Sequence, residues 1–288
     1  MKQKKHRFLK HPILAAFLLP VIGLLGGGII GQIVVLSLNG FDTKAAQNTL
    51  LSNDLPEIFL ALLVILIMKH SYDNQFKFGF WKKNLKPSMV FASWGFLVLL
   101  LNIIPNLFLG TPLESSYGLL LAVTGGIAPG LYEEVTCRGV VLSNMMYQWR
   151  NAKNPIMMSL LASSIAFGLI HLVNLFSTVG PTLIQVGYAT GLGIFFGAVY
   201  LRTRNLWGPV VVHALIDISA KMFVTEDPVA GIASLAVPPE QMLVGIAVFI
   251  VFTSIGLYLV RPAKHEEIKA LWREDSWHHE VAPETEAL

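Results

Sequence analysis

The sequence predicts an all-α, polytopic membrane protein. Of its 288 residues, 54% are hydrophobic and only 14% are charged, and the mean hydropathy is +0.60. These values are far from those of a soluble domain. Apolar runs of the length that crosses a hydrocarbon core also recur along the chain. We therefore expect about eight transmembrane helices.

Apolar runs of about 20 residues define the eight spans. They are Pro12–Leu38, Leu55–Met68, Met89–Leu109, Tyr117–Trp149, Ile156–Leu175, Leu183–Leu201, Leu206–Phe223 and Met242–Val260. The second is short and carries Glu57 near its start, so a re-entrant or interfacial helix is an alternative to a span. The fourth is too long for one straight crossing, and its glycines and Pro129 predict a break before the helix that carries Glu133.

The positive charges predict the orientation, because they favour the cytoplasmic side of short loops. With eight spans and the N-terminus inside, 18 of the 21 Lys and Arg residues lie in cytoplasmic segments. Lys44 and Lys221 lie outside, and Arg138 falls within a span. We expect a multi-pass protein of the cell membrane with both termini cytoplasmic. The same distribution explains the net charge of +3 without a nucleic-acid partner.

The spans divide the chain into four segments. Residues 1–116 form N-terminal transmembrane helices, residues 117–223 a core with the buried ionisable residues, residues 224–260 the last transmembrane helix, and residues 261–288 a charged cytoplasmic tail. The basic and then apolar N-terminal run lacks a convincing cleavage site, so we interpret it as an uncleaved first helix. The single cysteine, Cys137, excludes an intrachain disulfide.

The candidate site residues are six ionisable groups inside the predicted spans, where each charged group costs about 2.5 to 3.5 kcal/mol and function is the default interpretation. They are Glu133, Glu134, Arg138, His171, His213 and Asp217.

The Glu-Glu pair predicts two different roles. Glu134 and Arg138, four residues apart, can form an ion pair that is either purely structural or part of a site. Glu133 is turned from Glu134 by about 100° on a helix, so it can point elsewhere and act as a general base toward water. Two histidines beside it could orient that water, or His171, His213 and Glu133 could bind a metal such as zinc.

Three sequence segments resemble the motifs of a known family. "EEVTCRG", "FGLIHLVN" and "GIFFGAVYLRTRNLWGPVVVHALID" are similar, in order and approximate spacing, to those of the CAAX-protease and bacteriocin-processing (CPBP) intramembrane endopeptidases. The family pattern is Glu-Glu followed by arginine, then a phenylalanine four residues before a histidine, then a histidine four residues before asparagine or aspartate. The similarity covers roughly residues 118–220.

The resemblance implies a peptidase with its site in a cavity inside the membrane. By position, Glu133 would activate water with His171, and Glu134 would pair with Arg138 to hold the first helix in register. Both metal-dependent and metal-free mechanisms remain open. The implied partners are membrane lipid and a hydrophobic peptide or membrane-protein substrate.

The same resemblance implies that His213 and Asp217 support the tetrahedral intermediate. Aspartate replaces the asparagine that is frequent at the second position, and an ionised aspartate cannot donate a hydrogen bond to an oxyanion. We therefore expect Asp217 to accept a hydrogen bond from His213 and fix its tautomer.

Other classes of protein fit the sequence less well. It lacks the His-Glu-x-x-His, Gly-x-Ser-Gly and Gly-x-Gly-Asp patterns of other intramembrane proteases. The non-enzymatic alternatives are a protein that confers bacteriocin immunity and a transporter whose buried charges line an ion path. Straight crossings place His171 about 22 Å and His213 about 10 Å from the cytoplasmic ends of their spans, so they would not be level. The resemblance implies a cavity that opens to the cytoplasm.

Overall fold

The computed structural model describes residues 54–71, 78–176, 178–224 and 237–274, together with isolated positions between 11 and 37. The predicted first span therefore lies almost wholly outside the described residues, as does the tail after residue 274. The described part is helical and contains no strand, although Leu113 and Phe223 form an isolated antiparallel bridge.

The helices are numbered here in chain order. They are α1 (Leu55–Ser71), α2 (Leu85–Ala92), α3 (Phe96–Leu109), α4 (Ser116–Glu133), α5 (Ser143–Gln148), α6 (Pro155–Ile170), α7 (Gly180–Thr203), α8 (Trp207–Lys221), α9 (Pro239–Leu259) and α10 (His265–Glu274). A 3₁₀ turn, Ser93–Gly95, joins α2 to α3, and a π-helical segment, Glu134–Leu142, joins α4 to α5. Local sequence sets several ends: the Asn154 side chain accepts a hydrogen bond from the Met157 amide, and Pro155 then starts α6.

Four helical stretches of the described part are long and apolar enough to cross a membrane. They are Leu85–Leu109, Pro155–Leu175, Gly180–Thr203 and Pro239–Leu259, and Leu55–Leu66 is a shorter apolar helix. Large apolar side chains are exposed along them, for example Leu107 on α3 and Leu243 on α9. Exposed apolar faces of this size suit lipid. The chain is thus a multi-pass membrane protein by composition and helix length, and the predicted count of eight spans is not confirmed.

The predicted break in the fourth span is wrong. Helix α4 continues through Pro129 to Glu133, and the change of helical type comes later, at Glu134. A proline removes only one backbone donor, and a membrane helix tolerates it where neighbouring groups compensate. The glycines that suggested a break instead allow α4 to pack closely on α8.

Gly130 gives a test of this packing. A Cβ at Gly130 would lie 2.8 Å from the backbone nitrogen of Ala214 on α8, closer than a Cβ atom normally approaches an atom of another residue. We expect Gly130→Ala to separate the two helices and to cost about 1 to 3 kcal/mol of stability, as overpacked cores do. Thermal melting in detergent measures this. The matched control is Gly187→Ala on α7, where no atom lies within 4 Å of the added Cβ, and equal melting of both variants would contradict the close packing.

Helix α7 is the centre of the bundle and packs against α6 on one side and α9 on another. Its second half is buried on all faces, as expected for a helix that is apolar all round. Buried residues of this half include Phe195, Phe196, Val199 and Tyr200. The candidate site lies beside this core.

Helix α10 lies against the carboxyl end of α7. Its Ile268 and Trp272 are buried, and Trp272 Nε1 donates a hydrogen bond to the Leu201 carbonyl at 3.0 Å. Glu267 lies on the exposed face of α10. A hydrogen bond from Lys264, and then the charge of Arg202 on α7, lower the pKa of Glu267 below its usual range. The first part of the predicted tail is therefore an amphipathic helix docked on the bundle.

Candidate active site

The π-helical segment carries two of the predicted site residues, Glu134 and Arg138, and all nine of its residues are buried. Arg138 Nη1 lies 2.9 Å from Glu134 Oε1, and these side chains are 3% and 0% exposed. The guanidinium carbon of Arg138 also lies 4.2 Å from the centre of the Phe167 ring. The predicted ion pair is present, and an aromatic face covers its cation.

Glu134 also holds His213. The Nδ1 atom of His213 lies 2.9 Å from Glu134 Oε1, and an ionised carboxylate only accepts, so Nδ1 is the donor. Glu134 therefore binds Arg138 and orients His213 through a single oxygen. The Phe196 ring stacks on the imidazole, with 5.6 Å between ring centres and 14° between planes, and fixes its tilt.

The predicted bond between His213 and Asp217 does not form. Asp217 Oδ2 lies 3.9 Å from His213 Nε2, which exceeds hydrogen-bond length, and Nδ1 binds Glu134 instead. The expectation that Asp217 fixes the tautomer of His213 is thus wrong. Asp217 lies one turn along the same helix, on the Nε2 side of the ring, whereas Glu134 approaches Nδ1 from the neighbouring segment.

Glu133 is the last residue of α4 and lines a cavity of about 1050 Å³. Its Oε2 lies 3.8 Å from His213 Nε2. In the described part of the chain no nitrogen–oxygen distance of 4 Å or less joins the side chains of Glu133 and His171, the histidine that the family resemblance pairs with it. Glu133 and Glu134 therefore face the same imidazole from opposite sides, Glu133 at the cavity and Glu134 in the protein interior.

His171 lines the same cavity at the start of a 3₁₀ segment that follows α6. Its Nδ1 lies 2.9 Å from the Phe167 carbonyl oxygen. A carbonyl can only accept, so Nδ1 donates, which leaves Nε2 for other partners. The Phe167 ring lies 5.1 Å from the ring of His171 and 6.3 Å from that of His213, centre to centre. The two predicted histidines thus lie on either side of Phe167.

The predicted mismatch in depth between the histidines has a structural explanation. The chain between α7 and α8 is covered by other segments of the protein, because Arg204, Asn205 and Leu206 are 1% exposed or less. Helix α8 therefore starts from a buried linker, and its His213 lies beside Phe167 of α6, with 6.3 Å between ring centres. The assumption that every span runs straight from an exposed end was therefore wrong.

The predicted metal set does not come together. Among the described residues, no group of three or more His, Cys, Asp or Glu side chains has the geometry to hold a metal ion. His213 Nδ1 and His171 Nδ1 are engaged by Glu134 and by a backbone carbonyl, so these histidines could bind a metal only through Nε2. As they stand here, His171, His213 and Glu133 do not form the zinc set, and we derive no chemical step through a metal.

Sequence reasoning did not assign Glu57 to the site. Helix α1 buries Ala61 and Met68 on one face, as well as Asp54 just before its start, and exposes residues such as Phe59 on the other face. Glu57 is one turn from Ala61 on the buried face and lines the same cavity as Glu133. Its spacing from Ala61 was visible in the sequence, but the hydropathy of α1 does not distinguish the two faces.

Lys221 also lines the cavity. It was predicted as a cation of the outer side and lies at the end of α8, where its Nζ donates a hydrogen bond to the Gly125 carbonyl. Nearby, the Thr124 hydroxyl bonds the buried carboxylate of Asp54 at 2.5 Å. These polar groups connect α1, α4 and α8 at one end of the cavity.

Residues 114–219 match the model of a family described as type II CAAX prenyl endopeptidase, Rce1-like. The match covers 106 of the 288 residues and includes all six predicted site residues. It confirms the resemblance to the CPBP endopeptidases. Comparisons with curated proteins and with solved structures gave no significant match.

Proposed function

Because residues 114–219 match the Rce1-like family of type II CAAX prenyl endopeptidases, we propose that this chain is an intramembrane endopeptidase. It hydrolyses peptide bonds in hydrophobic peptides or membrane-associated proteins. One observation carries the proposal: Glu133 and Nε2 of His213 face each other across 3.8 Å at the wall of a cavity inside a membrane protein. The gap is too long for a direct hydrogen bond and suits a water held by both groups.

In the proposed reaction Glu133 is the general base. It takes a proton from the water as the water oxygen bonds to the carbonyl carbon of the substrate. The carbonyl oxygen becomes an oxyanion, and the carbon becomes tetrahedral. When the carbon–nitrogen bond breaks, Glu133 returns the proton to the leaving amine, so the carboxylate is regenerated.

His213 is proposed to act on the oxyanion. Glu134 accepts the hydrogen bond of Nδ1. In the imidazolium form of His213, Nε2 is protonated as well and donates a hydrogen bond to the oxyanion on the cavity side. Arg138 neutralises Glu134 and keeps it in place. His171, with Nδ1 bound to the Phe167 carbonyl, can accept a hydrogen bond through Nε2 from the second O–H group of the water and so orient it. Asp217 lines the cavity near Nε2 of His213 and as a carboxylate cannot bind an oxyanion.

A fluorogenic library of hydrophobic peptides tests the proposal on the purified protein in detergent. The proposed function predicts cleavage that follows the protein through purification. A library that stays intact under conditions where the protein is folded would contradict it and favour a role in immunity or transport.

Metal removal is a separate test. The proposed mechanism uses Glu133 and the two histidines without a metal, so we expect peptide cleavage to continue in excess chelator. Metal analysis of the purified protein accompanies the assay. Loss of activity on chelation with full recovery on adding zinc would contradict the metal-free mechanism and support the set of His171, His213 and Glu133.

A further inference from the structure

The cavity occupies one half of the bundle. In α3, α6, α7, α8 and α9, most of the residues that line the cavity lie in the same half of the molecule, regardless of the direction of the helix. These residues include Asn102 and Pro105 on α3, Phe167 on α6, Gln185 on α7, Asp217 on α8 and Gln241 on α9. In α3, α6 and α8 they lie toward the carboxyl end, and in α7 and α9 toward the amino end.

The positive charges lie at the other end of these helices. Ten of the twelve lysines and arginines whose side chains the structure describes belong to it: Lys82, Lys83, Lys86, Arg150, Lys153, Arg202, Arg204, Arg261, Lys264 and Lys269. Contacts join several of these segments, since Asn205 Nδ2 donates to the Lys83 carbonyl at 3.0 Å and Arg202 pairs with Glu267 at 2.9 Å. We call this half the basic end; Arg138 in the bundle and Lys221 at the cavity are the other two cations.

The bundle is closed toward the basic end. Between Glu134 and His213 on one side and the basic end on the other lie the buried side chains of Tyr200 and Arg204. Arg204 Nη1 donates a hydrogen bond to the Tyr200 hydroxyl at 3.2 Å. The Trp272 ring of α10 covers this guanidinium at 4.0 Å from its centre. At the opposite end, by contrast, the cavity reaches exposed side chains such as Gln241.

Positive residues in short loops favour the cytoplasm, so the basic end is the cytoplasmic one. We propose that the cavity opens on the extracytoplasmic face of the membrane. Its occupants are then hydrophobic peptide segments that reach the membrane from that side, and this second statement rests on the proposed function. The direction is the reverse of the one that the family resemblance implies.

Cysteine labelling tests the orientation without using activity. Gln241→Cys and Tyr117→Cys place thiols at the cavity end, and Asn151→Cys places one in the loop between α5 and α6 at the basic end. The three original side chains are exposed, and none is charged, so the charge distribution that sets topology is unchanged. Cys137 is 3% exposed and serves as the background in wild type.

Intact cells are treated with a membrane-impermeant maleimide, and total thiol is measured after permeabilisation. We expect Tyr117→Cys and Gln241→Cys to be labelled in intact cells and Asn151→Cys only after permeabilisation. Labelling of Asn151→Cys in intact cells, or of Tyr117→Cys only after permeabilisation, would overturn the proposal. Tyr117→Cys decides the orientation if the thiol at Gln241 is shielded inside the cavity.

A second arm separates this inference from the proposed function. A charged fluorogenic peptide that cannot cross the membrane is added to intact cells and to inverted vesicles. We expect cleavage by cells and not by sealed inverted vesicles. Cleavage only by the vesicles would overturn the orientation and leave the peptidase intact, whereas the expected labelling without cleavage in either preparation would sink the peptidase and leave the orientation.

Discussion

Replacing Glu133 by glutamine is expected to leave the fold unchanged and to lower the rate of peptide cleavage by about 100-fold or more, the usual scale of general-base catalysis. Glutamine keeps the size and shape of the side chain but cannot accept a proton from water. The position tolerates this change because Glu133 faces the cavity and its contact with His213 Nε2, at 3.8 Å, is not a hydrogen bond. The measurement is kcat/KM in detergent, with a melting curve for each variant.

The matched control is Glu240→Gln, which removes a carboxylate from the lining of the same cavity on α9. It should retain activity if the effect at Glu133 comes from proton transfer and not from the charge of the cavity. Equal losses in the two variants would assign the effect to cavity charge, and a wild-type rate in Glu133→Gln would remove Glu133 from the mechanism.

The second large effect concerns stability. We expect Arg138→Ala to destabilise the protein by about 3 to 5 kcal/mol, because it leaves the fully buried Glu134 without its cation. The loss also removes the guanidinium that lies 4.2 Å from the Phe167 ring centre. Lower yield and a lower melting temperature in detergent are the readouts, and both should be independent of substrate.

Arg150→Ala provides the comparison, since Arg150 is exposed and its guanidinium lies over the Tyr147 ring at 4.3 Å. An exposed arginine of this kind should contribute little to stability. If Arg138→Ala melts at the same temperature as Arg150→Ala, the ion pair does not hold the π-helical segment in place.

Hydropathy was sufficient to predict the class of fold and most of the helices. The apolar runs match the helical stretch Leu85–Leu109 and helices α6, α7 and α9 closely because lipid imposes one simple requirement on a span, about 20 apolar residues. Sequence spacing failed where a helix starts inside the protein. Nothing in the pattern shows that the chain around Asn205 is buried, so the depth of His213 could not be counted from the surface.

The sequence predicted which residues belong to the site better than it predicted the contacts between them. The i, i+4 spacing correctly placed Arg138 beside Glu134, because residues four apart lie about one turn apart on the same side of a helix. The same rule suggested Asp217 as the partner of His213, and a neighbouring segment supplied Glu134 instead. Contacts between helices depend on packing that no local spacing encodes, which is also why Glu57 was not assigned to the cavity.

The most direct test of the proposed peptidase is to follow the oxygen of the water. The purified protein is incubated with hydrophobic peptides in ¹⁸O-labelled water, and the products are examined by mass spectrometry. A water-activating Glu133 predicts cleaved peptides that carry ¹⁸O in the new carboxyl group and that disappear in the Glu133→Gln variant. Intact peptides with the folded wild type, or labelled products in equal amount from Glu133→Gln, would contradict it.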